Sequence, residues 1–188
     1  MLAYAAGDAG AFDRLYRRHK GGVYRYLLRH CGNAGTADEL FQDVWTNLIR
    51  ARGTYHPSAR FTTWLYRLAQ NRIVDHWRAN GRLRLVADEL PVDTDSDDDP
   101  IDAIRAPRSD EPEVRVGALE LGRRIAAALA KLPPVQRDAF LLQQEGGFSL
   151  SEIAELTNVG VETVKSRLRY ALASLRSQLG HLHLAAHD

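Results

Sequence analysis

The sequence predicts an all-α protein: two small helical domains joined by a flexible acidic linker, the second containing a helix-turn-helix. Three observations point there. Apolar residues recur at helical spacing on both sides of the chain's middle, between capping residues and glycine or proline breakers. Residues 83–113 show no such period and carry 3 Lys and Arg against 11 Asp and Glu, a net charge of −8. Finally, the stretch 149–179, SLSEIAELTNVGVETVKSRLRYALASLRSQL, reads as two helices separated by a turn too short for anything else.

Taken in order, Asp8 caps a first helix whose apolar positions are Phe12, Leu15, Tyr16, Val23, Leu27 and Leu28, with Gly32 and Gly35 ending it. Thr36 and Glu39 have capping-box spacing and open a second helix. Its apolar face holds Ala37, Leu40, Phe41, Val44, Trp45, Leu48 and Ile49; Asp38, Gln42, Asp43 and Asn47 lie opposite, and Gly53 stops it. A loop held by Pro57 leads to a third helix, beginning near Thr62 or Thr63 and running to Asn80-Gly81. There Trp64, Leu65, Leu68, Ala69, Ile73 and Trp77 alternate with Arg67, Asn71, Arg72, Asp75 and Arg78. Aromatics among cations can stack on unwound bases and pair with phosphates; for each Trp alone, a core position is the simpler reading. After the linker, helical pattern resumes near Val114, breaks at Pro133-Pro134, and restarts in a helix that Gly146-Gly147 ends. The domains expected are residues 1–82, 114–180 and the linker 83–113 between them, with 181–188 a frayed tail.

The helix-turn-helix carries the chemistry. Ser149 and Glu152 form a capping box, and Asn158 stands four residues after Ala154, where such a turn needs a left-handed residue. Small Ala154 permits a close helix crossing, pinned by Val159 and Val164. The following helix offers Thr163, Lys165, Ser166, Arg167 and Arg169 outward, with no acid between Thr163 and Leu179. Cations for phosphates and short polar groups for base edges suit a recognition helix in the major groove. A helical hairpin with a solvated basic face is the bland alternative.

Composition narrows the classes further. With 188 residues, 45% apolar and 26% charged, the chain has an ordinary soluble composition. No apolar run approaches the roughly 20 residues of a membrane span and no signal-peptide pattern opens the chain, so a cytoplasmic protein without membrane insertion is expected. The single Cys31 precludes an internal disulfide and reads as a packing residue. The net charge of +1 conceals segregation: residues 1–82 carry a net of +7 and residues 114–188 a net of +2, so a nucleic-acid partner fits. No P-loop, nucleophile elbow or zinc-ligand set occurs, so no catalytic residue, metal or cofactor is expected. Asp93, Asp95 and Asp97 imitate a calcium loop, but Asp98 replaces its glycine and Ile104 its bidentate Glu. The tail histidines His181, His183 and His187 read as part of a frayed terminus, not as a metal set.

Four segments in order now resemble a family, the extracytoplasmic-function sigma factors of bacterial RNA polymerase. AGDAGAFDRLYRRH resembles the opening helix of that family, ADELFQDVWTNLIR its core-polymerase-binding helix, and FTTWLYRLAQNRIVDHWR its promoter-melting segment. LPPVQRDAFLLQQEGGFSLSEIAEL followed by VETVKSRL resembles its second domain; the likeness runs from Ala6 to Leu179. The chain departs from the family at Asn158, often glycine, and at Gly160, often proline.

The resemblance implies an alternative sigma factor without catalysis of its own. Asp38, Gln42, Asp43 and Asn47 would meet the clamp of the largest subunit of core RNA polymerase. Arg60, Phe61, Trp64, Arg67, Asn71, Arg72 and Arg78 would take the non-template single strand of the minus-ten element, with Asn71 near the captured base. Lys165, Ser166, Arg167 and Arg169 would read the minus-thirty-five element as duplex promoter DNA, with Thr163 on the backbone. The acidic linker would pass toward the RNA exit path, and an anti-sigma factor would sequester the protein. A stand-alone helix-turn-helix regulator with an N-terminal partner-binding domain is the alternative; the high positive charge of that domain argues against a sensor.

Overall fold

The structure is a computed structural model and describes residues 1–79 and 112–180, the side chains of 112–119 excepted. The linker acids Asp93, Asp95 and Asp97 and the tail histidines therefore lie outside the described residues, while α5 begins at Pro112, inside the stretch expected to be linker. Within the described residues every regular element is helical.

A one-turn helix α1 (Leu2–Ala5) precedes α2 (Ala9–Cys31). Asp8 begins α2 as expected, its carboxylate accepting the Ala11 amide at 3.1 Å, and Gly32 ends it in left-handed conformation. Helix α3 (Ala34–Arg50) starts two residues before the Thr36 cap read from sequence. Asn33 caps it instead, accepting the Thr36 amide at 2.8 Å. Asparagine is the stronger cap, and it takes the amide that the expected box would have left inside the helix. Gly35 accordingly lies within α3 rather than ending α2. A short 3₁₀ turn (Ala51–Thr54) follows α3, and α4 (Phe61–Ala79) begins one residue ahead of Thr62.

The three long helices bury one stripe each: Val23, Tyr26 and Leu27 from α2, Leu40, Val44 and Leu48 from α3, and Leu65, Ala69 and Ile73 from α4. The α2 stripe runs through Tyr26 and on to buried His30, where the sequence had suggested Leu28, which is only half-buried. Phe12, Tyr16 and Phe41 surround Trp45, their rings 4.9–6.0 Å from its centroid. Such edge contacts add to simple burial. Ile49, assigned to the apolar face of α3, is instead 41% exposed, lying about 100° round the helix from fully buried Leu48.

The second half comprises α5 (Pro112–Lys131), α6 (Pro134–Gly146), α7 (Leu150–Thr157) and α8 (Val161–Leu179). Pro134 occupies the first turn of α6, where its missing amide costs nothing. Arg137, one turn on, reaches back to the end of α5 and donates to the carbonyls of Ala130 at 2.7 Å and Leu132 at 3.0 Å. It thus satisfies acceptors that a helix end leaves open. Leu129, Leu132, Leu141, Leu142, Ile153, Val164, Leu168 and Ala171 form the core of this half.

The halves are not separate bodies. Helix α6 lies along α2, α7 touches α4, and one continuous core joins them. Phe148, between α6 and α7, sets its ring edge-on to Tyr66 of α4 at 5.1 Å.

Candidate nucleic-acid interface

Local signals build the helix-turn-helix. Ser149 and Glu152 make the reciprocal capping box, the Ser149 hydroxyl accepting the Glu152 amide and Glu152 accepting the Ser149 amide at 2.9 Å. Those bonds, with Arg60 beyond them, hold the Glu152 carboxyl below the usual carboxylate range. Asn158 adopts φ 54° and ψ 47°, the left-handed corner, and the Val159 amide closes on the Ala154 carbonyl at 3.1 Å. Ala154 and Val164 are buried at the crossing and Val159 is half-buried.

Along α8 the five expected readers divide. Lys165 and Arg169 are exposed, Lys165 paired with Glu162 at 2.8 Å and the Arg169 guanidinium 5.2 Å from the Tyr170 ring centroid. Thr163 and Ser166 are half-buried, the Ser166 hydroxyl donating to the Thr163 carbonyl at 3.0 Å. Arg167 points the other way. It is half-buried against a cavity of about 170 Å³ that Gln70, Trp77 and Asp138 also line, and burial holds its pKa below the ordinary arginine value.

Around the loop before α4, Tyr55, Phe61 and Trp64 form an aromatic cluster. Tyr55 and Trp64 meet edge-on at 4.9 Å, and Phe61 lies 6.0 Å from Trp64. His19 of α2 adds its ring at 5.3 Å from Phe61, and burial lowers its pKa. Sequence reasoning missed His19, which sits among charged neighbours with no local mark. Trp64 and Trp77 are both half-buried, the latter with its ring 5.5 Å from His30. Arg60, Arg67, Asn71 and Arg78 are exposed and Arg72 is half-buried. These arginines already have carboxylate neighbours: Arg60 with Glu152 at 2.9 Å, Arg67 with Glu155 at 3.8 Å, and Arg72 and Arg78 with Asp75. Pairs this exposed contribute at most about 1 kcal/mol each, so a phosphate can displace them.

Asp38, Gln42 and Asp43 stand exposed on α3, with Asn47 half-buried beside them. Tyr24 of α2 hydrogen-bonds Asp38, which raises the pKa of the phenol.

A second group of polar residues lies between the halves. Asp138 accepts from Tyr26 Oη at 2.6 Å and Gln70 Nε2 at 2.7 Å, while His30 Nε2 lies 3.3 Å away. Burial pushes the Asp138 carboxyl up, yet His30, Tyr26 and Gln70 outweigh it, so the net shift is downward. Glu145, only 7% exposed, pairs with Arg25 and Arg29 at 2.7 Å each, and its carbonyl accepts Tyr66 Oη at 2.9 Å. Nothing local marks these contacts, which join residues 68 to 120 positions apart. The one available sign is that Tyr26 and His30 continue the Val23–Leu27 stripe.

Two packed helical halves, one with a helix-turn-helix and one with aromatics and arginines along a helix, suit a nucleic-acid-binding protein. Comparison with known proteins makes the class specific. Residues 15–83 match the Sigma-70 region 2 family and residues 122–175 the Sigma-70 region 4 family. The chain is 30% identical to the RNA polymerase sigma factor CarQ of Myxococcus xanthus, over 98% of each chain. It is 35% identical to the ECF RNA polymerase sigma factor SigE of Mycolicibacterium smegmatis over 93% of its own length, but spans only 65% of that relative. Among solved structures, CnrH in complex with the cytosolic domain of CnrY shares 25% identity at a TM-score of 0.66, covering 96% of this chain and 95% of that one. The Bartonella quintana sigma factor RpoE, solved with the anti-sigma factor NepR, has the same fold at 19% identity and a TM-score of 0.66, over 90% of this chain and 97% of that one. The chain belongs to the extracytoplasmic-function RNA polymerase sigma factors.

Proposed function

We propose that the chain works as a dissociable promoter-specificity subunit with the labour divided between its faces. The observation that carries this reading is the pairing of an intact helix-turn-helix with exposed Lys165 and Arg169 and a separate exposed polar-acidic face on α3. Asp38, Gln42, Asp43 and Asn47 bind the clamp of the largest polymerase subunit, where carboxylates and amides complement a cationic helix partner. Lys165 and Arg169 hold duplex phosphates and base edges of the minus-thirty-five element, with Thr163 and Ser166 at the helix start.

Strand capture falls to the loop and α4. Extruding a base from the duplex costs a few kcal/mol, and stacking on an aromatic returns about 1–3 kcal/mol per base. Phe61 and Trp64 form the wall of that pocket, Asn71 donates to the captured base, and Arg60, Arg67, Arg72 and Arg78 follow the strand's phosphates. The chain supplies binding energy and positioning, without catalysis of its own, and works in the cytoplasm where core polymerase is found. An anti-sigma protein holds it inactive, a reading supported by its likeness to CnrH, solved with the cytosolic domain of CnrY.

The division is tested by two mutant classes in two assays. Lys165→Ala and Arg169→Ala are expected to weaken promoter binding and leave core-polymerase binding intact, while Asp43→Arg does the reverse. Equal failure of both classes in both assays would contradict the assignment.

A further inference from the structure

His19 holds a core-stripe position with a side chain that the core does not use. It stands four residues before Val23 and seven before Tyr26, in line with the stripe that α2 buries. Helical spacing calls for an apolar residue there. His30, at the far end of the same stripe, has Asp138 3.3 Å from its Nε2. His19 has no counterpart to it: among the described residues neither of its ring nitrogens makes a hydrogen bond, although the residue is half-buried. Its ring lies 5.3 Å from Phe61 and through Phe61 joins the cluster with Tyr55 and Trp64, whose members are half-buried as well. A polar group withdrawn from water and left unpaired costs stability. A partner from outside the chain would remove that cost.

Arg18, next to it, is exposed. The preceding arginines of α2, Arg14 and Arg17, pair with Asp8 and Asp13, but Arg18 makes no ion pair among the described residues. Burial first, and then the Arg18 charge, hold the His19 pKa below the ordinary histidine value. Near neutral pH the imidazole is therefore uncharged, with one nitrogen donating and the other accepting.

We propose that α2 is the second wall of the strand-capture site: His19 hydrogen-bonds the base held against Phe61 and Trp64 and sets the base preference at that position, while Arg18 binds the phosphate of an adjoining nucleotide. The inference rests on the assignment of the loop and α4 to the minus-ten strand. A neutral imidazole accepts as well as donates, which Arg60, Arg67 and Arg72 cannot do. It adds an acceptor to a surface otherwise rich in donors, and so distinguishes base edges where the guanidiniums follow the backbone. A free imidazole edge beside three aromatic rings has the make-up of a single-strand site, in which stacking holds a base and a hydrogen bond selects it.

The experiment uses the full chain assembled with core RNA polymerase and a promoter library randomised across the minus-ten element. His19→Leu and His19→Ala remove the hydrogen bond, His19→Gln keeps a donor and an acceptor, and Arg18→Ala removes the charge. Circular dichroism melts check the fold, and affinity of each free chain for a single strand is measured against salt. Leucine fits the stripe, so His19→Leu is expected to melt no lower than wild type. His19→Leu and His19→Ala are expected to flatten the base preference roughly tenfold at one minus-ten position and leave the others as they were. His19→Gln restores a preference at that same position. Arg18→Ala keeps every preference and lowers the slope of log affinity against log salt by about 0.7 for a single strand.

An even loss of preference across all positions would make His19 a packing residue and overturn the proposal, as would an unaltered preference in His19→Leu and His19→Ala. An unchanged salt slope in Arg18→Ala would remove the phosphate contact. The wild-type chain separates the two readings. Without selective initiation there, the specificity-subunit assignment falls and takes this proposal with it; selective initiation that the His19 variants leave unaltered overturns this proposal alone.

Discussion

Asn158 is the residue on which the helix-turn-helix turns, and its backbone is the only non-glycine one at positive φ among the described residues. Asn158→Ala is expected to cost about 1 kcal/mol in urea denaturation, and Asn158→Gly to be neutral or stabilising, because the left-handed corner penalises a Cβ. Asp138 makes a pH prediction. Its folded pKa lies below the ordinary aspartate value of about 3.9, so its stabilisation is fully present above that pH and is lost as pH falls through the lower folded value. Comparing wild type with Asp138→Asn by urea denaturation from pH 7 down to pH 2 should show a gap between them that is constant above about pH 4 and closes below it. A gap independent of pH would place the Asp138 charge outside the seam. Asn158 was legible in the sequence because its role depends only on its neighbours four residues back and two ahead. Asp138 was not, because its partners Tyr26, His30 and Gln70 come from two helices of the other half.

The same contrast governs whole elements. Helix α7 was readable from end to end, since Ser149, Glu152 and Asn158 mark both of its ends by local hydrogen bonding. Ser149→Ala is expected to cost about 1 kcal/mol, seen as a lower urea midpoint with an unchanged m-value. Helix α3 misled because two caps compete within four residues: Thr36 and Glu39 have the spacing of a box, yet Asn33 takes the Thr36 amide. Its stripe was otherwise correct from Ala37 to Leu48 and failed only at Ile49, in the last turn. For α8 the sequence showed which side chains are polar but not where each one points. Lys165 and Arg169 face outward, whereas Arg167 turns to the cavity, an outcome decided by helices that lie far away in the chain.

At the scale of the molecule, the all-α class and the family were legible because they rest on periodicity, caps and four segments in a fixed order. The packing of one half on the other was not, since a linker of either shape fits the same sequence. Removing the Lys165 charge should lower the slope of log affinity against log salt by about one unit for duplex DNA. The most direct test of the central claim is to mix the purified chain with bacterial core RNA polymerase, measure binding, and run transcription on a library of promoter fragments. A specificity subunit is expected to bind core tightly and to initiate from a narrow set of fragments that share two spaced elements. Duplex DNA binding with no affinity for core would contradict the account and leave a stand-alone helix-turn-helix regulator.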